Sequence, residues 1–518
     1  MIREAIIQEH RLSYSLDAIA YLRLGKKKHE EIWALMADKF GGPPARKAQI
    51  GRLSEVPFEW VDAYARPDAE LALEIWEDQE KDISEQELEL VHSLERRLFA
   101  TIVGMEQRGV GVDLELAQTE MDNVDKRIRA HQGNLNQLVG KEFNVNSTPQ
   151  VRRLLNPQKD DQGNWRLSDG TLLDSTKETP EGADNPSLKS DYLRKSSIPE
   201  CQLIVDIRSL TKTRDLFLKT YILGHGASGR IHASFNQTRT EFGKGTGTGR
   251  FSITDPALQQ IPSRDDKTSS ITRSCFIPDG GDDWGCWDWR QVEFRAFAHY
   301  VNEPAIIEAY ASDPNTDFHE VVAKITGLPR DRDERTGGAN SKQINLGLVF
   351  GEGVGRMAKE MGYPFYVDER GYTRAGPEAQ AIFDKYHEAI PGVKKMLKTA
   401  ESVAKSRGYI KTPLGRHIRF PNGKGAHTAA GLLFQSTAAD MMKLKLCELN
   451  DLIKGTGAKL LITVHDEFDI SIPPNTEELR GEISQLLNRF DGVKTPIQLR
   501  VPITCSSGFG ENWYRASK

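Results

Sequence analysis

Cysteine is scarce and never clustered: the 518-residue chain has five, Cys201, Cys275, Cys286, Cys447 and Cys505. An odd number with no CxxC pair gives no support to a disulfide framework or a zinc ribbon, and it points to a reducing compartment. Long apolar runs are also missing. The opening MIREAIIQEHRLSYSLD lacks the basic start, apolar core and small-residue cleavage site of a secretory signal. The expectation is a cytoplasmic protein with no membrane partner. No fixed-period repeat occurs, which argues against a solenoid. Nor is there an excess of basic charge, since 69 Lys and Arg face 74 Asp and Glu for a net −5, although an overall balance can hide a basic face.

What is present suffices for several cores. Apolar residues make up 38% of the chain, with 8 Trp, 13 Tyr and 20 Phe, and the length suggests about three domains. The charges are unevenly placed. Residues 61–90 carry eleven Asp and Glu against Arg66 and Lys81, whereas residues 391–427 carry nine Lys and Arg against Glu401 alone. The second window is either a solvated helix face or a grip for phosphates. Polar, Pro- and Gly-bearing stretches near 41–46, 156–188 and 241–249 mark boundaries. Residues 85–138 and the stretch ECQLIVDIRSLTKTRDLFLKTYI have helical periodicity, and 156–188 between them reads as an exposed, mobile loop. Beyond residue 280 short strands alternate with helices: GCWDW before VEFRAFAHYV, then KLLITV and FDISIP as a hairpin.

Two carboxylates stand out in that region. Asp288 ends the strand GCWDW, and Asp466 sits between His465 and Glu467 in the hairpin turn. A single strand-end Asp is commonly a cap or turn residue. Two on adjacent strands could hold two divalent ions about 3.5–4 Å apart, the arrangement that clamps an in-line phosphoryl displacement. In SKQINLGLVFG, Lys342, Leu346 and Phe350 share one helix face by their spacing. An ammonium suits triphosphate oxygens, and an aromatic ring beside Gly351 offers a surface for a base, though an amphipathic core helix has the same pattern.

These segments, in order, resemble the family A DNA polymerases, meaning bacterial DNA polymerase I and its phage relatives. WDWRQVEFRAFAHY (287–300) is similar to motif A, SKQINLGLVFG (341–351) to motif B and VHDEF (464–468) to motif C. TGTGRFSITDPALQQIP (246–262), DFH (317–319), FQSTAAD (434–440) and the ending GENW (510–513) match further family segments. The resemblance, which runs from about residue 90 onward, implies an α/β (α+β) multidomain right-hand fold with an antiparallel palm sheet and helical fingers and thumb. The thumb falls at 91–250, the palm at 251–310 and 431–518, and the fingers at 311–430. Residues 1–90 form a truncated exonuclease-like segment, on the likeness of SYSLDAIAYLRLG (13–25) and YARPD (64–68) to that domain's end.

The resemblance also implies roles. Asp288, Asp466 and the Trp289 carbonyl bind two Mg²⁺ ions, with Mn²⁺ a possible substitute, and Glu467 supports them. Lys342 and His319 hold the triphosphate, and Lys342 protonates the leaving group. Gln291, Leu346 and Phe350 line the nucleotide, Glu293 excludes a ribose 2′-hydroxyl, and where Gly338 stands in place of a family Arg, either Arg335 takes over the γ-phosphate contact or that contact is lost. Arg250, Gln259 and Gln260 contact DNA at the minor groove, Gln435 the template and His465 the primer end. The implied partners are primer-template DNA and dNTPs, with a helicase, a processivity factor or a separate exonuclease chain as further candidates. Leu346 and Phe350 replace aromatic residues of the family pattern, and Ala257, Gln260, His427 and Gly431 replace polar or basic ones. Tyr64 and Asp68 match an exonuclease YxxxD, but no DxE precedes them, so proofreading is expected to be absent. Two other readings stay open: a single-subunit RNA polymerase, against which Glu293 and the His-Asp-Glu triplet argue, and a non-catalytic DNA-binding scaffold.

Overall fold

The computed structural model describes all residues except 12, 162, 177–183, 227, 240–244, 264, 332–338 and 493–494. Among the described residues, 1–90 form helices and turns only, from α1 (Ile2–Ile7) to the 28-residue α2 (Phe58–Glu85). The acidic run of 61–90 lies largely on α2, whose buried stripe is Leu71, Ile75, Gln79 and Ile83. The helices α3 (Glu89–Arg108) and α4 (Leu114–Val139) follow. Between them Val110–Val112 forms a short strand, where Gly109 at φ 65° turns the chain and leaves no room for a side chain beside the Ile231 carbonyl.

The stretch 156–188 departs from its reading as a mobile loop. Three two-residue strands, Gln158–Lys159, Trp165–Arg166 and Leu172–Leu173, pair antiparallel. Leu167 and Leu173 are buried in a core with Leu135, Phe143, Val151 and Ile204 of α5 (Pro199–Lys212). Isolated leucines in a polar, turn-rich context carry no periodic signal, so their burial could not be read from the sequence.

The catalytic-looking segments converge on one sheet. Strand β1 (Asp283–Trp289) leads into α6 (Val292–Val301), α7 (Phe318–Thr326), α8 (Ser341–Val349), α9 (Val354–Glu360) and α10 (Pro391–Arg407). The chain returns through α11 (Ala429–Leu452) to the hairpin β2 (Lys459–Val464) and β3 (Glu467–Ile472), then α12 (Glu477–Asn488), β4 (Cys505–Gly510) and α13 (Trp513–Ala516). The four strands lie in the order β2-β3-β1-β4, every pair antiparallel. Alternation sends Trp287 and Trp289 to one face, where their indole N–H groups donate to Ser484 Oγ (3.0 Å) and the Leu487 carbonyl (3.1 Å) of α12. Trp284 points to the other face and stacks on Trp513 of α13 with centroids 5.7 Å apart.

Helix α11 is buried along most of its length and joins two cores: Leu433 and Phe434 pack with α6 to α10, and Met441 and Leu446 pack with the sheet. It also carries buried charges. Lys443 Nζ donates to Glu95 of α3 at 2.6 Å, Arg416 Nε donates to Asp440 at 2.6 Å, and Arg416 pairs with Glu95 as well. Thr412 and Gln237 complete the network. Gly249, at φ 82°, lies against the Arg416 guanidinium so closely that any side chain would collide with it. No helix among the described residues is long and apolar enough to cross a membrane.

Candidate active site

Register brings the acidic residues together. Glu467 stands opposite Asp288, and the Trp289 amide donates to the Asp466 carbonyl at 3.2 Å, which ties the hairpin turn to the end of β1. His465 occupies that turn in the left-handed region (φ 59°), exposed. Asp288 is accessible at the sheet corner, but its carboxyl is partly desolvated and faces the charges of Asp466 and Glu467. Together these raise it to about 7. Burial also raises Asp466.

Glu467 is held from behind. Trp513 Nε1 donates to it at 2.6 Å, and Arg273 lies 3.7 Å away. Beneath it, Cys286 and the fully buried Asp469 bring their ligand atoms within 4.8 Å of a Glu467 oxygen and of each other. Burial and the Glu467 charge push the Asp469 carboxyl well above the usual range, while Trp284 Nε1 donates to it at 2.7 Å. Trp513 and Asp469 carry no site role in the sequence reading; the sole available signal was an acidic residue at an inward position of an otherwise apolar strand.

A second group forms where α7 meets α8. Asn340 caps α8, Ser341 Oγ donates to the His319 carbonyl at 2.7 Å, and the Gln291 amide donates to Asp317 at 2.8 Å. His319 is buried and lowered to about 4, chiefly by desolvation. The Tyr386 hydroxyl donates to Asn345 Oδ1 (3.2 Å), which turns the Asn345 amide toward His319 Nδ1 (3.3 Å). Nδ1 therefore accepts, and the imidazole proton sits on Nε2. Lys342 is half exposed, 3.9 Å from Asp331, whose other partner is Arg330. Arg335 and Gly338 lie outside the described residues. Leu346 is half-buried against the core, and Phe350 ends α8 directly over Gly431, where a side chain would lie 2.9 Å from its ring. Gly431, which departs from the family pattern, thus makes room for Phe350.

Between the two groups, Arg250 forms an ion pair with Glu293 at the start of α6. Gln259 accepts from the Ile253 amide at 3.3 Å, and Gln260 is exposed, accepting from Tyr221 at 3.4 Å. Gln435 is half-buried on α11. The Tyr64 and Asp68 pair lies away from these groups: Tyr64 packs on Trp33 with centroids 5.1 Å apart, and Asp68 pairs with Lys28 at 2.7 Å.

Residues 114–515 match the family model described as DNA polymerase family A. The chain is 41% identical to DNA polymerase DpoZ of Acinetobacter phage SH-Ab 15497, over 100% of this chain and 84% of that protein. The chain belongs to DNA polymerase family A. It is a DNA-directed DNA polymerase, and membership of the family implies that this polymerase uses a divalent metal. DNA polymerase DpoZ of Vibrio phage phiVC8 is 38% identical over 97% of the chain and 79% of its own length. The thermostable DNA polymerase I of Thermus aquaticus is 28% identical over 84% of the chain and 49% of that protein. The fold is shared with the POL domain of Pol1 from M. smegmatis, solved in complex with DNA primer-template and dNTP: the TM-score is 0.77 at 22% identity, covering 100% of this chain and 82% of that one.

Proposed function

We propose that the polymerase extends a primer 3′ end by two-metal-ion phosphoryl transfer, with Asp288, Asp466 and the Trp289 carbonyl as the protein's oxygen donors. The observation that carries this reading is the sheet corner itself, where register sets Glu467 against Asp288 beside Asp466 and the Asp288 carboxyl, partly desolvated and facing those two charges, rises to about 7. Asp288, Asp466 and the Trp289 carbonyl would hold two Mg²⁺ ions, or Mn²⁺ in their place, which would supply charge neutralisation at the reacting phosphorus and a lowered pKa for the primer hydroxyl. The remaining roles belong to the chain. Glu467, fixed by Trp513, keeps the corner negative and rigid. Lys342 binds the triphosphate and hands a proton to the departing pyrophosphate. His319, neutral with its proton on Nε2, donates to a phosphate oxygen, while Gln291 orients the segment that carries it. Arg335 reaches the outer phosphate.

Glu293, fixed by Arg250, walls off the sugar 2′ position and selects deoxynucleotides. Leu346 packs near the sugar, and Phe350 floors the base pair. Arg250, Gln259 and Gln260 follow the minor groove, Gln435 the template and His465 the primer terminus. The sheet and α11 form the palm (251–310 and 431–518), 311–430 the fingers and 91–250 the thumb. Residues 1–90 are an exonuclease-like remnant without proofreading, a reading supported by the neutralisation of Asp68 by Lys28.

The test is extension of a labelled primer with Mg²⁺ and dNTPs. Asp466→Ala is expected to abolish base-specific extension while leaving primer-template affinity within a few-fold. Undiminished extension by that variant, or none by the intact chain despite tight binding, overturns the two-metal assignment.

A further inference from the structure

The basic window 391–427 divides in two once its partners are known. Arg416, Arg419 and Lys411 turn inward or toward carboxylates, pairing with Asp440, Glu9 and Glu87. Lys394, Lys395, Lys398, Arg407 and Lys424 are exposed and form no ion pair with any described residue. On α10 the buried face is Val393, Ala400 and Ala404. At about 100° per residue, Lys394, Lys398 and Lys405 fall within one narrow band on a flank about 120° from that buried line, spread over about 16 Å of helix. Lys405 is matched by Glu401 at 2.6 Å.

The band has a direction. Its C-terminal end meets the loop after residue 420: a side chain at Gly423 would lie 3.6 Å from the Lys405 stem, next to exposed Lys424. His427 is near enough to Glu401 to help lower its carboxyl, behind the larger effect of Lys405. The His427 carbonyl in turn abuts Gly351, where a side chain would come within 2.9 Å of it. Gly351 follows Phe350. Lys424 and, beyond the Lys405–Glu401 pair, Lys398 and Lys394 therefore form a line of exposed cations without an ion pair to a described residue, leading from the loop that backs Gly351 along the flank of α10.

We propose that this line is a track for the phosphates of the template strand not yet copied, running from Phe350 past Lys424 to Lys398 and Lys394. The proposal rests on reading Phe350 as the floor beneath the base pair. An extended polyanion leaving that position has unpaired phosphates, and successive lysines one helical turn apart offer them separate partners. The band has no aromatic side chain, so it reads backbone and not bases, and its contribution is independent of template sequence. Ser402 adds a hydroxyl among the lysines.

The test compares the intact chain with the triple variant K394Q/K398Q/K424Q on primer-templates whose 5′ template overhang is one or fifteen nucleotides long, measuring affinity against salt concentration. The intact chain is expected to bind the long overhang about tenfold more tightly at low salt, with a steeper salt dependence. In the variant that preference disappears, and the slope for the long overhang falls by about 2, at roughly 0.7 per lost single-strand phosphate contact. Affinity and single-nucleotide insertion on the short overhang remain unchanged, which also reports an intact fold. Phe350→Ala, expected to slow insertion on both substrates alike, tests the floor separately. The proposal is overturned if the variant keeps the long-overhang preference and slope, or if it weakens both substrates equally. It is also overturned if the loss appears only on gapped DNA with a duplex ahead of the primer, which would assign the lysines to that duplex.

Discussion

The proposed metal role gives Asp288 opposite requirements with and without a bound cation. Its carboxyl sits near 7 in the folded chain, so between about pH 4 and pH 7 the folded state keeps a proton that the unfolded state has released. Its contribution to stability is therefore present at low pH and lost as pH rises through about 7, the reverse of a salt-bridged aspartate. Asp288→Asn removes that dependence. In thermal melts without metal, the variant is expected to gain on the natural chain as pH rises from 5 to 8, and added Mg²⁺ is expected to stabilise only the natural chain, most at pH 8. A constant difference across that range would mean that the fold does not raise the Asp288 carboxyl. At this scale much was legible. The meeting of Asp288 and Asp466 at one sheet corner was readable from their places at the ends of two strands, and the helix face of Lys342 from its spacing, while their roles rest on the family resemblance. Trp513, Asn345 and Asp469 gave no such signal, because they act through hydrogen bonds to side chains 26 to 185 residues away, and such pairing leaves no local pattern.

Among the elements, α11 makes the clearest energetic statement, since an apolar helix joining two cores carries Asp440 and Lys443 fully buried. Glu95 of α3 satisfies both Lys443 and Arg416. Glu95→Gln keeps the shape but leaves two cations facing one carboxylate without solvent. Denaturant unfolding is expected to show a loss of about 3–5 kcal/mol. Lys405→Ala, which removes only an exposed pair one helical turn apart, should cost no more than about 0.5 kcal/mol. Equal effects would show that the buried network is not what pins α3 to α11. The helices and the β2-β3 hairpin were readable from periodicity. The small sheet within 156–188 was not, since strands of two residues are too short to alternate, and the partition of the basic window into paired and free halves depended on carboxylates at Glu9, Glu87, Glu95 and Asp440.

Taken as a whole, the molecule does not treat its N-terminal helices as an appendage. Ile6 and Ile7 of α1 and Ile83 of α2 belong to the same core as the sheet, and Glu9 accepts from Arg419 at 2.5 Å across more than four hundred residues. Ile7→Ala is expected to cost about 2–5 kcal/mol and to lower the temperature at which primer extension is lost in step with the main melting transition. An early, separate melting event with unchanged thermal inactivation would show instead that these helices unfold on their own. The acidic α2 and the basic face of α10 also explain how a chain with a net charge of −5 can be a DNA polymerase: the opposite charges are held on different surfaces, and local sign, not the sum, meets the phosphates. Finally, the strand order β2-β3-β1-β4 has a consequence for biosynthesis. The strand bearing Asp288 is flanked on one side by β3 and on the other by β4, both of which emerge from the ribosome some two hundred residues later, and the indole that fixes Glu467 comes later still. A nascent chain therefore lacks this sheet corner until β4 and α13 have been made and have docked on β1 and β3.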